Sequence, residues 1–375
     1  MVPGLYIHVP FCRTRCPFCD FAITTKLSPM AEWEAALGHE MELRAHEATA
    51  PFDTVYFGGG TPSLLAPEAM ERIFESLHRH FLITEDAEIT LEANPGTLGL
   101  EEYSRLVKLG VNRLSLGIQS FDDEDLQFLG RDHTARESVD AFEYARTAGI
   151  GNITIDLIHG LPERTTEHWE DQIDTACRLG PNHISNYALT YEPGTSMTQK
   201  RDRGEITPAT DTLSAELFRI GQERLGQAGY EQYEVSSFAS MPKYESRHNK
   251  KYWQGHPYIG LGPSAHSYRD QRRSWNVKAV RTYIDKLSRS ELPVEDVEDL
   301  DGEQRRIESL FLGLRWRGGV ALERFAAEFG EDLRVSRAEQ IRSLLEQGFA
   351  VADGGPLRLT RSGLARADAI VRELS

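Results

Sequence analysis

The sequence predicts an α/β protein: an open, partial (β/α)6 barrel of TIM-like design, followed by a mostly helical, winged-helix-like C-terminal domain. Three observations lead there. Short apolar runs alternate with helix-patterned stretches as far as about residue 240, the mark of βαβ units and a parallel sheet. Glycines and polar residues fall directly after successive runs, where parallel barrels collect their functional groups. Beyond residue 299 the pattern becomes helices and one turn-centred hairpin. At 375 residues the chain is long enough for two or three domains. We place them at 1–240 (barrel), 241–298 (an aromatic- and glycine-rich connection) and 299–375 (the helical domain).

The expected strands are Leu5 to Val9, Thr54 to Phe57, Glu88 to Glu92, Arg113 to Ile118, Asn152 to Ile158 and His183 to Leu189. Helical spacing lies between them, in Trp33, Leu37 and Met41, in Tyr103 and Val107, and in Ala141, Tyr144, Ala145 and Ala148. Six such units suit an incomplete barrel better than a closed eightfold one. A helix is expected over Thr207 to Gly226 and a further strand over Tyr230 to Phe238. The stretch from His248 to Tyr268, dense in glycines and aromatics without a period, reads as a functional loop. Helices are then expected over Asp301 to Leu314, Leu322 to Phe329 and Ser336 to Gly348, with a hairpin about Asp353-Gly354-Gly355 and a closing helix from Arg361 to Leu374.

Lys and Arg number 42 against 58 Asp and Glu, a net charge of −16. No positive stripe for phosphates is expected from such a balance, so nucleic acid is excluded as a partner. The winged-helix-like region does not reverse this, since Ala321 to Ser375 holds eight basic and nine acidic residues; we read it as structural or partner-docking. No apolar run reaches the length of a membrane span and no secretory signal is visible, so the expected location is a reducing cytoplasm. A homodimer is left open.

Three of the four cysteines, Cys12, Cys16 and Cys19, occupy eight consecutive positions. A loop at this spacing can wrap one 4Fe-4S cube with three thiolates and leave one iron open. Zinc would normally ask for a fourth protein ligand, and structural disulfides are rare in a reducing compartment. Cys177, within a helical pattern, reads as a small core hydrophobe. Strand ends supply Gly58-Gly59-Gly60-Thr61-Pro62, then Glu92-Ala-Asn-Pro95, Gln119-Ser120, and Asp156 ahead of His159. Any one of these can merely cap a helix; at successive strand ends they make one constellation.

With these residues placed, the chain resembles the coproporphyrinogen dehydrogenase branch of the radical SAM superfamily over nearly its whole length. Within that branch it is most similar to the HemW-type haem chaperones, through Cys19-Asp-Phe21, His248-Asn-x-x-Tyr-Trp253 and Gly262-x-x-Ala-His-Ser267. The resemblance implies that Cys12, Cys16 and Cys19 hold a 4Fe-4S cluster whose open iron takes S-adenosylmethionine. By the same similarity Tyr6 and Phe18 pack beside the cofactor, Gly59, Gly60 and Thr61 face its amine, and Glu92 pairs with that ammonium. Arg131 would take the carboxylate, and Gln119 and Asp156 the ribose hydroxyls.

Two departures separate the chain from the dehydrogenase. Phe21 stands where the enzyme carries a further cysteine, and five residues precede Tyr6 in place of a long leading segment that helps enclose the substrate. Coproporphyrinogen III dehydrogenase activity is therefore not expected, because radical chemistry needs a closed, water-poor site. The resemblance implies a haem chaperone that binds haem and passes it to an acceptor protein, with His248 as the expected axial ligand and His266 as a second candidate. On the residues alone, the favoured reading is that His248 and Asn249 hydrogen-bond a turn while Tyr252 and Trp253 fill a domain junction; the resemblance reverses this preference. The alternatives are an oxygen-independent coproporphyrinogen III dehydrogenase, a related radical SAM methyltransferase, or a partner-binding scaffold.

Overall fold

Leu5, Ile7 and Val9 are buried on one face of the first strand, while Tyr6 and His8 point to the other. This alternation recurs along the sheet and sets the architecture. A computed structural model describes residues 1–375. The units run β1 (Gly4–Val9), α1 (Met30–Arg44), β2 (Phe52–Gly59), α2 (Pro67–His80), β3 (Ile83–Ala93), α3 (Leu100–Lys108), β4 (Arg113–Gln119), α4 (Asp123–Phe128), α5 (Ala135–Thr147), β5 (Ile153–His159), α6 (Thr166–Leu179) and β6 (His183–Ala188). β1 to β6 are neighbours in sequence order and all parallel. The six strands match the expected ones to within a few residues, apart from the earlier start of β3.

The outer face carries Val55, Phe57, Leu91, Leu114, Leu116, Ile155 and Leu157, all fully buried against the helices. Each contributes roughly 1.5–3 kcal/mol of burial. Facing the concave side are Tyr56, Glu92, Ser115, Asp156 and Ser185, so the hollow of the sheet is polar. Helix ends are well marked: Thr134 and Glu137 form a reciprocal capping box on α5, and Gly180, at φ 66°, ends α6 in the left-handed region.

Beyond β6 come α7 (Ser196–Asp202), α8 (Asp211–Gln227), β7 (Glu231–Gln232), β8 (Ser237–Ala239), α9 (Arg247–Trp253), β9 (Tyr258–Leu261), β10 (His266–Arg269), β11 (Arg272–Asn276), α10 (Val280–Leu287) and β12 (Val294–Asp299). The strand order is β12-β11-β10-β9-β1-β2-β3-β4-β5-β6-β8-β7, one open twelve-stranded sheet. The expectation of a loop from His248 to Tyr268 is therefore corrected: α9 covers its start, and β9 and β10 extend the sheet past β1. The runs are too short for a visible period, and pairing is set by close backbone approach. A Cβ on Gly260 would lie 2.0 Å from the His266 carbonyl oxygen. The single strand expected over Tyr230 to Phe238 is likewise two short ones about a turn. Tyr144, expected on an apolar face, is exposed.

A second core of 16 buried residues unites α11 (Gly302–Gly313), α12 (Leu322–Phe329), α13 (Leu333–Ser336), α14 (Ala338–Glu346), the hairpin β13 (Ala350–Val351) and β14 (Arg358–Leu359), α15 (Arg361–Leu364) and α16 (Ala367–Leu374). The closing helix is thus two helices, broken at Arg366, where φ is −124°. No helix is long and apolar enough to cross a membrane.

Candidate functional site

The cysteine loop leaves β1 and returns to it. Cys12 N–H donates to the Thr24 carbonyl at 3.1 Å and Thr24 N–H to the Pro10 carbonyl at 2.7 Å, closing the loop at its base. The Arg15 guanidinium binds the Ile23 carbonyl at 2.7 Å and pins it internally. Cys12, Cys16 and Cys19 are half-buried free thiols, and all three face one cavity of about 610 Å³ at the carboxyl ends of the strands. Burial pushes the Cys12 and Cys19 thiols up. Thr61 Oγ1 lies 3.3 Å from Cys12 Sγ, and Arg131 Nη1 lies 3.4 Å from Cys16 Sγ. The sulfurs are not gathered tightly enough to ligate one common ion; a cube takes each thiolate on a different iron, which asks for wider spacing.

Eleven of the expected site residues line this cavity: the three cysteines with Phe18, Gly59, Gly60, Thr61, Glu92, Gln119, Arg131 and Asp156. The glycines are required by close packing onto β1 as much as by any ligand. A Cβ on Gly60 would sit 2.7 Å from the Val9 and Phe11 carbonyl oxygens, and Gly59, at φ 105°, would drive one into His8. Gln119 also has a positive φ, 70°, and its bend turns the end of β4 into the cavity.

The charges fit a zwitterion bearing a further positive centre. Glu92 accepts hydrogen bonds from Tyr56 Oη at 2.7 Å and from Gly59 N–H at 3.1 Å. Burial raises its carboxyl to about 7, with Asp156 adding to the rise. Burial raises Asp156 too, although Ser115 Oγ donates to it at 3.0 Å. Two buried carboxylates in one hollow call for a cation. Arg131 is fastened to Asn94 Oδ1 at 2.6 Å and the Gly117 carbonyl at 2.9 Å, while its buried Nε has no partner. That orphaned donor suits an incoming carboxylate.

Asn94, Ser115 and Tyr187 line the cavity as well and were not singled out from the sequence. Asn94 lies within the Glu92-to-Pro95 motif, Tyr187 is the last but one residue of the sixth strand and Thr190 follows it, so strand-end position is the available signal.

Two expected residues lie elsewhere. Tyr6 stands in an adjoining groove with its hydroxyl 3.2 Å from His8 Nδ1. His248 is buried under the concave face, with Nδ1 2.9 Å from Thr54 Oγ1 and Nε2 2.9 Å from Tyr252 Oη. Burial lowers its pKa to about 3. Glu88 holds α9 there by accepting from the N–H groups of Arg247 and His248 at 3.1 and 3.0 Å. The ring has no free nitrogen to offer a metal in this arrangement. Cys177 is partly buried on α6, where burial raises its thiol to about 11.

A family model described as the radical SAM superfamily matches residues 6–176, and one described as the HemN C-terminal domain matches residues 300–366. The "Heme chaperone HemW" of Mycobacterium tuberculosis is 37% identical over 377 residues, covering 99% of this chain and 94% of its own. That of Bacillus subtilis is 35% identical, covering 96% and 95%. A mitochondrial "Radical S-adenosyl methionine domain-containing protein 1" of Bos taurus is 32% identical, covering 99% and 87%. Among solved structures, the Escherichia coli coproporphyrinogen III oxidase (HemN), described as a radical SAM enzyme, superposes with a TM-score of 0.85 at 22% identity over 100% of this chain and 90% of that one. At that identity the likeness shows a shared fold. Near-full-length identity to the chaperones, together with the radical SAM match over the barrel, places this chain in the HemW heme chaperone family of the radical SAM superfamily.

Proposed function

We propose that this protein binds haem and transfers it to an acceptor protein, on a barrel that also holds a 4Fe-4S cluster and S-adenosylmethionine. One observation carries the reading: the cysteine-lined cavity shares Asp20, Phe21 and Gly59 with a second groove of about 450 Å³. Tyr6, Tyr252 and Tyr258 line that groove, whose size falls in the roughly 300–1,000 Å³ range of small-molecule sites. The wall between the two is the end of the cysteine loop, so a ligand in either cavity meets the same residues. His8 Nε2 holds this wall to β1 through the Ala22 carbonyl, 2.8 Å away.

In the first cavity Cys12, Cys16 and Cys19 hold the cluster, Glu92 takes the ammonium of S-adenosylmethionine, Arg131 its carboxylate, and Gln119 and Asp156 its ribose. A cluster with an open iron supplies an electron to a bound sulfonium. The protein's part is orientation and charge. We keep the division at 1–240, 241–298 and 299–375 as a functional one, supported by the separate apolar core of the C-terminal helices and by the groove residues contributed after 241.

Anaerobic cluster reconstitution followed by separate assays tests the proposal. Haem is expected to bind stoichiometrically and to leave on addition of a haem-acceptor apoprotein, with no conversion of coproporphyrinogen III. Conversion without haem retention would select the dehydrogenase instead.

Glu92 makes the cofactor site pH-dependent. Its folded pKa, about 7, lies above the ordinary 4.5. The empty protein is therefore favoured by the neutral acid: stability falls as pH rises from about 4.5 and levels off above about 7. An ammonium ligand needs the ionised form, so the sign reverses for binding. Affinity for S-adenosylmethionine should weaken by up to about tenfold per unit as pH falls below about 7. Equilibrium binding between pH 6 and 8 measures this, and Glu92→Gln should flatten the profile. A wild-type affinity independent of pH would remove Glu92 from the ammonium site.

A further inference from the structure

Three histidines stand in or beside the aromatic groove, and their hydrogen bonds set them apart. His8 is buried with both ring nitrogens engaged, Nδ1 by Tyr6 and Nε2 by the Ala22 carbonyl. His248, behind the groove, is engaged on both nitrogens by Thr54 and Tyr252. His266 is exposed at the groove's edge and makes no side-chain hydrogen bond. It is the first residue of β10, paired across the strand with Trp275 of β11, and the two rings stack at 5.7 Å with planes 27° apart. The turn before it is tightly built. Gly262 and Ser264 both have positive φ, 96° and 60°, and Ser264 N–H donates to the Val277 carbonyl at 3.0 Å. The imidazole is thus held by stacking and by its strand while its nitrogens stay free.

The surroundings suit an iron macrocycle. Desolvation first, then the nearby charges of Arg273 and Lys278, lower the His266 pKa, keeping the ring in the neutral form that ligates metals. Tyr252 and Tyr258, edge to face at 4.8 Å, give the groove an aromatic wall. Phe21, 59% exposed, stands on the side shared with the cysteine cavity. Lys278 lines the same groove and forms no ion pair, leaving its ammonium for a carboxylate such as a propionate.

Resting on the function proposed above, we infer that the iron of the bound haem is ligated by His266 and that His248 acts from behind as a positioning residue. The hydrogen bond from His248 to the Tyr252 hydroxyl fixes a wall of the groove, which gives the His-Asn-x-x-Tyr-Trp motif a role in haem binding without a bond to iron. An exposed ligand on a strand near the sheet edge suits a cargo that must be released. Release is a ligand exchange: the iron–imidazole bond to His266 breaks as a bond from an acceptor side chain forms, with no change in oxidation state.

Ferric haem titration of the full-length protein, read by the Soret band, tests the assignment in wild type, His266→Ala, His266→Gly and His248→Ala. His266→Ala should lower affinity by at least about 10-fold, the smallest loss typical even of a partner behind a ligand, and move the Soret maximum toward that of free haem, with reconstituted iron and sulfide unchanged. Added imidazole should restore the wild-type band in His266→Gly, a response that a folding defect would not give. His248→Ala should keep the wild-type Soret position with weaker retention. A wild-type band in both His266 variants, or a lost band in His248→Ala alone, overturns the assignment. Failure of wild-type protein to bind haem instead overturns the proposed function itself.

Discussion

Replacing any one of Cys12, Cys16 or Cys19 by Ala is expected to empty the cluster site on anaerobic reconstitution, while Cys177→Ala retains the wild-type content of iron and sulfide. The three thiols share one cavity, each beside a different part of the protein: Thr61 at Cys12, Arg131 at Cys16, and the Phe21 backbone at Cys19. With one iron left for S-adenosylmethionine, the protein has no spare ligand, and two thiolates cannot hold a cube that three are needed to hold. Cys177 lies on α6, packed against the barrel core and away from the cavity lining. Iron and sulfide analysis with the visible absorption of the reconstituted proteins measures the outcome. Loss of the cluster in Cys177→Ala, or its survival in a single loop variant, would refute the ligand set.

Glu40→Ala is expected to destabilise the fold by roughly 3–5 kcal/mol, the cost typical of removing one partner from a buried ion pair. Glu40, on α1, is fully buried and accepts from Gly262 N–H at 2.8 Å, Asn276 Nδ2 at 2.7 Å and Tyr283 Oη at 2.7 Å. Arg44 lies 3.6 Å away and continues the network to the Gly260 carbonyl and Ser267. One carboxylate therefore ties a barrel helix to the turn that precedes His266. Its removal leaves Gly262 N–H and Tyr283 Oη without an acceptor, Asn276 Nδ2 with the Gly262 carbonyl alone, and Arg44 short of a partner, although Glu47 still pairs with that guanidinium. Glu40→Gln should cost less, since one acceptor oxygen remains. Denaturant midpoints at constant slope measure both, and haem affinity should fall with stability in Glu40→Ala. An unchanged midpoint would show that the turn is held by strand pairing alone.

Much of the site was legible from residue type and position. The cysteine spacing, the glycines after β2, and Glu92, Gln119 and Asp156 at strand ends were all found from the sequence, because a parallel βαβ repeat sends every strand's carboxyl end to one side. Arg131 was found through the family resemblance, and the structure adds the reason for its suitability in the unpartnered Nε. Tyr6 and His248 differ from expectation for a shared reason. Motif and spacing identify a side chain without stating which neighbours it meets, and here His8, Thr54 and Tyr252 meet these two.

The sequence by itself determined the alternation of six strands and helices, the side of the sheet that carries chemistry, the loop of three thiols and the helical character of the last part of the chain. These are local or periodic properties, set by side-chain polarity along two or four residues at a time. Only the tertiary structure decided that residues 258–299 extend the sheet beyond β1, that the histidine of the His-Asn-x-x-Tyr-Trp motif lies buried with both nitrogens satisfied, and that His266 is left free beside the cysteine loop. Each depends on contacts between residues far apart in the chain, such as Thr54 with His248, 194 positions away, and Glu40 with Asn276, 236 away. Hydrogen-bond satisfaction in the folded interior decides which imidazole keeps a nitrogen free, and no pattern along the chain encodes it.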